Sequence, residues 1–67
     1  MITRRLADTY HGAGDFCVSA SNPLEARTYY RHAAELYGKL RALGVDEKLF
    51  REDWNHVQQA LLKLNTQ

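Results

Sequence analysis

Few side chains in this sequence are of types that commonly act in catalysis or metal binding. The histidines are the first candidates for such a role. His11, His32 and His56 fall in separate predicted helices, and carboxylates lie close in sequence to the last two. Helical bundles build metal sites from histidines and carboxylates on facing helices. However, His11 and His32 project away from the predicted apolar faces, and no Cys or His pair has zinc-finger spacing. We therefore expect solvated histidines, with no metal site and no cofactor.

The single cysteine is the next candidate for chemistry. Cys17 falls on the predicted apolar face of the first helix, where a cysteine behaves as a small hydrophobic residue. A catalytic thiolate needs an electropositive, accessible setting, and the sequence also lacks a paired acid–base or nucleophile pattern. We therefore expect no enzyme activity. One cysteine cannot form an internal disulfide, so a disulfide-stapled secreted module is excluded and a cytoplasmic location is expected.

One stripe of residues does indicate a binding surface. Arginines and small residues recur on the second predicted helix at intervals of four, three, four and three positions. This spacing places them in one stripe along the helix, away from its apolar face. Arginine pairs with carboxylates through two hydrogen bonds and is enriched at interfaces, while small residues let another backbone approach. The alternative is a solvated face with an incidental glycine. We name this set the basic stripe: Arg27, Arg31, Ala34, Gly38 and Arg41.

Nucleic-acid binding is the alternative function for the basic stripe. Residues 39–57 superficially resemble a helix-turn-helix motif around Gly44. The helix that would read DNA opens with Asp46 and Glu47, and residues 45–67 carry three basic against four acidic side chains. Phosphate contacts need the opposite sign of charge, and the net charge of the whole chain is only +1. Nucleic-acid binding is therefore disfavoured, although it is not excluded.

These residues must be positioned by three amphipathic helices, which the periodicity predicts at residues 2–20, 23–43 and 46–64. Gly12 and Gly14 each cost about 1 kcal/mol in a helix, which leaves open a break in the first one. The predicted apolar face of that helix consists of Ile2, Leu6, Tyr10, Ala13, Phe16, Cys17 and Ala20.

The second helix has clear signals at both ends. Asn22 suits the N-cap, Pro23 the first helical position and Glu25 the third, which together form a capping box. Gly44 supplies the left-handed residue that ends a helix, and Val45 can fold back in a Schellman motif.

The third helix carries the most regular apolar pattern. Its apolar residues alternate by four and three, which is the spacing of a heptad seam. The large ring of Trp54 lies near the middle of this pattern and is expected to be a core residue. We name this set the seam: Phe50, Trp54, Val57, Leu61 and Leu64.

The chain as a whole is predicted to be a single all-α domain of 67 residues. The short link at Gly44 predicts a helical hairpin of two long antiparallel helices, and the N-terminal helix completes a small three-helix bundle. The seam is long for one chain to cover, so we expect a homodimer. No apolar run approaches the roughly 18 residues of a membrane span.

The expected function is that of a small non-enzymatic protein-binding module. It would act by docking a helix face on a partner protein, as bacterial or phage-type regulators, inhibitors and antirepressors do. The basic stripe is the expected partner-binding site, and the seam is the expected core or interface. The partners are therefore another protein and a second copy of this chain.

Overall fold

The computed structural model describes residues 4–65, and they form three helices. α1 spans Arg4–Ser19, α2 spans Pro23–Ala42 and α3 spans Arg51–Asn65, with a short 3₁₀ turn at Glu47–Leu49 before α3. Within residues 4–65 there is no strand, so the all-α prediction is confirmed for this part of the chain. None of these described helices is both long and apolar enough to cross a membrane. Ile2, predicted on the first apolar face, lies outside the described residues.

α1 and α2 form an antiparallel pair with the most extensive contact between any two helices of the bundle. Asp15 of α1 meets Tyr30 of α2, whereas Asp8, one heptad earlier, meets Tyr37, one heptad later. α1 runs without interruption through both glycines, so the possible break in the first predicted helix does not occur.

α3 packs mainly on α2 and touches α1 much less. Phe50, just before α3, stacks on Tyr37 near the end of α2. At the other end of the pair, Leu64 of α3 and Leu24 of α2 line one notch. α3 is therefore antiparallel to α2 and parallel to α1, in a bundle of 35 × 20 × 14 Å. The predicted hairpin of the second and third helices is present, although α1 and α2 make the larger interface.

The turns that end α1 and α2 have the same hydrogen-bond pattern. At the end of α2, Gly44 has φ 88°, and Val45 N donates to Leu40 O at 3.0 Å, which is the predicted Schellman motif. At the end of α1, Ser21 takes the left-handed position with φ 59°, and Asn22 N donates to Cys17 O at 2.8 Å. The predicted N-cap is also present, since Asn22 Oδ1 accepts from Glu25 N at 3.5 Å.

The predicted start of the third helix at residue 46 is wrong. Asp46 caps the 3₁₀ turn instead, because its side chain accepts from Lys48 N at 3.0 Å. Phe50 then leaves helical geometry with φ −138°, and α3 begins at Arg51. The interruption accompanies burial of the Phe50 ring, which is only 1% exposed.

The predicted apolar face of α1 is wrong in part, because the helix is rotated from the expected orientation. Ala7, Gly14 and Cys17 are buried, whereas Phe16 is 73% and Leu6 43% exposed. Ala13 and Tyr10 are partly buried, while Ala20 is exposed and lies beyond the helix end.

The physical reason for this rotation is the size of the residues that α2 presents to α1. Tyr30 and Tyr37 are both almost fully buried, and their rings fill the space between the helices. A Cβ atom at Gly14 would lie only 2.7 Å from the Tyr30 ring. α1 therefore turns its small residues inward and leaves larger apolar residues on the surface.

The seam is buried to different depths along its length. Phe50 and Val57 are fully buried, whereas Trp54, Leu61 and Leu64 are partly buried at the edge of the core. Trp54, expected as a core residue, packs against the core at its edge and not at its centre. Trp54 instead closes one side of the bundle, with its ring 5.9 Å from that of Phe50.

Two hydrogen bonds from tyrosine to aspartate hold α1 and α2 in register. Tyr30 Oη donates to Asp15 Oδ1 at 2.5 Å, and Tyr37 Oη donates to Asp8 Oδ1 at 2.7 Å. Burial, the hydrogen bond to Asp15 and the charge of that carboxylate raise the pKa of Tyr30 above its ordinary value of 10.0. Burial and Asp8 raise the pKa of Tyr37 in the same direction.

These shifts predict a loss of stability in alkali. The folded chain keeps both phenols protonated to higher pH than the unfolded chain does, so their contribution is fully present below pH 10.0 and is lost above it. Each tyrosine lowers the free energy of unfolding by up to about 1.4 kcal/mol per pH unit in that range. Urea denaturation followed by circular dichroism at increasing pH measures this slope.

The matched variants for this measurement are chosen from the same helix. The double substitution Tyr30→Phe and Tyr37→Phe should flatten the alkaline slope. Tyr29→Phe leaves both tyrosine–aspartate hydrogen bonds in place and should keep the slope of the wild type. An equal slope in the double variant and the wild type would contradict the prediction.

Candidate functional site

The C-terminal part of the basic stripe is covered by α3 of the same chain. Ala34 is partly buried against the core, and a Cβ at Gly38 would lie 4.0 Å from Trp54 Cζ2. The Arg41 guanidinium lies 6.0 Å from the centroid of the Trp54 ring, within cation–π range. Trp54 therefore makes the close approach that the small residues of the stripe allow.

The N-terminal part of the stripe is open. Arg31 is exposed, and Arg27 lines a notch of about 290 Å³ together with Pro23, Leu24 and Leu64. Leu24 is 70% exposed at this end of the bundle. Among residues 4–65, neither Arg27 nor Arg31 forms an ion pair. This part of the stripe thus combines an uncovered apolar notch, lined by Arg27, with a second arginine, Arg31, and neither arginine has a carboxylate partner in the described chain.

An unexpected cluster of polar side chains lies between α1 and α3. His11 and Asp15 of α1 and His56 of α3 bring potential ligand atoms within 4.8 Å of one another. His11 Nε2 is 3.5 Å from Asp15 Oδ2, and His56 Nε2 is 3.4 Å from Asp15 Oδ1. The two imidazole rings lie 4.8 Å apart, centroid to centroid. We name these three residues the His–Asp–His cluster.

The expectation that His11 points into solvent is therefore wrong. The rotation of α1 brings His11 toward α3, and its side chain is only 13% exposed. The side chain of His56 is 58% exposed, and His32 lies elsewhere, against the ring of Tyr10 at 5.2 Å. The i,i+4 spacing of His11 and Asp15 was visible in the sequence, but their proximity to His56 depends on the rotation.

A groove of about 510 Å³ lies beside this cluster, between the C-terminal halves of α1 and α3. It exists because these two parallel helices make little contact with each other. Asp15 and His56 line the groove together with apolar groups of Val18 and Ala60. The cluster is therefore reached from solvent through an open, partly apolar channel.

Cys17 behaves as the sequence predicted. It is 6% exposed in the core, and its thiol contacts Glu25 Oε2 at 4.0 Å. A thiol in this position is a packing residue with a weak hydrogen bond, since buried cysteines are generally inert.

Comparison of the chain with protein-family models, with curated proteins and with solved structures gives no match.

Proposed function

We propose that this chain is a small non-enzymatic protein-binding module, and that it docks an amphipathic helix of a partner protein at the notch beside Leu24. The observation that carries the proposal is the uncovered apolar surface of Leu24 and Leu64 next to Arg27. Helices commonly bind by placing an apolar face in such a groove with charged residues at its rim.

The charges around the notch favour an acidic partner. Arg27 and Arg31 form no ion pair within residues 4–65. The acidic start of α3 lies at the opposite end of the stripe, where Arg41 meets Trp54. Acidic groups of a partner can supply the carboxylates that these arginines lack within residues 4–65, and arginine binds them in a directional, bidentate way.

The proposal extends to self-association and to a regulatory role. Large exposed apolar residues support pairing with a second copy, since small domains often complete their core in this way. As a module without its own chemistry, the protein would act as a regulator or inhibitor of the bacterial or phage antirepressor type, in the cytoplasm. The exposed residues are Leu6, Phe16, Val18, Leu24, Leu43, Leu49 and Leu62.

Charge reversal at Arg31, in the open part of the stripe, is expected to weaken partner binding and leave the fold intact. Arg31→Glu removes a favourable rim charge and repels acidic residues, which should weaken binding at least about tenfold. Because Arg31 is exposed, its substitution should change stability by less than about 0.5 kcal/mol. The partner is first captured from native cells by cross-linking and then titrated, as a purified protein, against each variant.

The matched control is Arg5→Glu, an equal charge change on the exposed surface near the start of α1, at the other end of the bundle. Binding that survives Arg31→Glu but is lost in Arg5→Glu would place the docking surface elsewhere. Sedimentation equilibrium of the same variants tests self-association. A single species of 7.7 kDa for the wild type would rule out the homodimer. Salt-sensitive binding of a random duplex that Arg31→Glu eliminates would favour nucleic acid instead.

A further inference from the structure

We propose that the His–Asp–His cluster is a binding site for a divalent first-row transition metal ion, with Zn²⁺ as the best-suited member. Imidazole nitrogens and one carboxylate form a ligand set that zinc sites use, with three protein ligands and one remaining position. Two of the ligands, His11 and Asp15, are one helical turn apart on α1, and His56 joins them from α3.

The two histidines approach Asp15 at distances close to those between ligands of one ion, His11 at Oδ2 and His56 at Oδ1. Ligands that bind zinc tetrahedrally at about 2.0–2.2 Å are separated from each other by about 3.3–3.5 Å. His11 Nε2 lies 3.5 Å from Asp15 Oδ2, and His56 Nε2 lies 3.4 Å from Asp15 Oδ1. The ligand atoms of the cluster are up to 4.8 Å apart, whereas two ligands about 2.1 Å from one ion are at most about 4.2 Å apart. Because the side chain of His56 is 58% exposed, a change of its rotamer can bring its nitrogen closer to Asp15 Oδ2 and His11.

The environment of His11 is an independent observation that points to a ligand. Its Nε2 atom is buried and has no hydrogen-bond partner within the described part of the chain. Buried polar atoms are nearly always hydrogen-bonded, and a bound ion is one of the explanations for an exception. The other nitrogen, Nδ1, lies 3.9 Å from Asp53 Oδ1. This distance exceeds that of a hydrogen bond, but a slightly closer approach of the Asp53 carboxylate would accept the Nδ1 proton and leave the lone pair of Nε2 for a metal ion.

Asp15 is also held in place for this role. Tyr30 Oη donates a hydrogen bond to Asp15 Oδ1, and the Tyr30 side chain is fixed in the core at 2% exposure. Oδ2 of the same carboxylate remains directed at His11. A hydrogen-bonded carboxylate with one oxygen available is the usual arrangement for a metal ligand.

The groove between α1 and α3 determines what else reaches the ion. Asp15 and His56 line it, so the coordination position left by three protein ligands faces an open channel of about 510 Å³. Water or one side chain of a bound protein fits there. The site is thus of the open type rather than the closed four-ligand type that serves structure alone.

The test is a titration of the full metal-free chain with Zn²⁺ by isothermal calorimetry. We expect one ion per chain, and we expect His56→Gln and Asp15→Asn each to weaken binding by at least about 100-fold. Asp53→Asn, which alters only the group behind His11, should weaken it about tenfold. His56 is exposed, so its substitution leaves the core undisturbed, and Asn at position 15 can still accept from Tyr30.

His32→Gln is the matched control, because it removes a histidine outside the cluster and should bind Zn²⁺ as the wild type does. Absence of binding to the folded wild type would overturn the proposal, and so would equal affinity in His56→Gln and the wild type. Nitrogen chemical shifts of the imidazoles provide a measurement on the unmodified chain. Zn²⁺ should shift His11 and His56 but not His32, and any other pattern contradicts the site.

Discussion

Truncation of Phe50 to alanine is expected to unfold this domain. The ring is 1% exposed and stacks on Tyr37 with centroids 5.6 Å apart and planes 10° from parallel. Removal of a buried phenylalanine costs about 3–5 kcal/mol, because the transfer energy is lost and a cavity remains. At about 0.05–0.15 kcal/mol per residue, a chain of 67 residues has about 3–10 kcal/mol of stability, so this loss removes a large part or all of it.

Trp54→Ala is the comparison that makes this prediction specific. Trp54 is larger, but it is only partly buried at the edge of the core and contacts Gly38 and Arg41. We expect it to lose about half of the free energy that Phe50→Ala loses. Thermal and urea denaturation followed by far-ultraviolet circular dichroism rank the two variants. A larger loss of unfolding free energy for Trp54→Ala than for Phe50→Ala would contradict the placement of Trp54 at the edge of the core.

The second large effect is expected at Gly14, which differs from the neighbouring Gly12 in what surrounds it. Gly14→Ala should destabilise the domain, because a Cβ there would lie 2.7 Å from two carbons of the Tyr30 ring. That ring cannot move easily, since it is buried and hydrogen-bonded to Asp15. Overpacking of this kind costs about 1–3 kcal/mol, which exceeds the roughly 1 kcal/mol that alanine contributes to a helix. Gly14→Val should be worse than Gly14→Ala.

Gly12→Ala is the matched control two residues earlier. No atom of another part of the structure lies within 4 Å of a Cβ at that position. Alanine there should raise the free energy of unfolding by about 1 kcal/mol through helix propensity alone. Chemical denaturation of both variants measures the difference in sign. Stabilisation by both substitutions would show that α1 does not pack on Tyr30 through Gly14.

The elements with local chemical signals could be predicted well from the sequence. α2 was expected at residues 23–43 and is observed at Pro23–Ala42, because its N-cap and its C-terminal glycine act over a few residues. Such signals do not depend on which other helix packs against the element.

The orientation of α1 could not be predicted in the same way. Hydrophobicity favoured the face with Leu6 and Phe16, yet the small residues Ala7 and Gly14 face inward. Their burial depends on shape, because the rings that α2 presents leave room only for small side chains. The cluster at His11 was missed for the same reason, since its assembly follows from that rotation.

The contact between α1 and α2 is more extensive than the contacts of α3 with either helix, and this difference determines which helix unfolds first. Contacts between α1 and α2 join residues such as Asp15 and Tyr30, only 15 positions apart, so little loop entropy is lost when this pair forms. α3 is attached mainly to α2, and its contact with α1 is slight. The last helix can therefore detach as a cooperative unit at a lower free energy than global unfolding, and its amides should exchange with solvent before those of the other two helices.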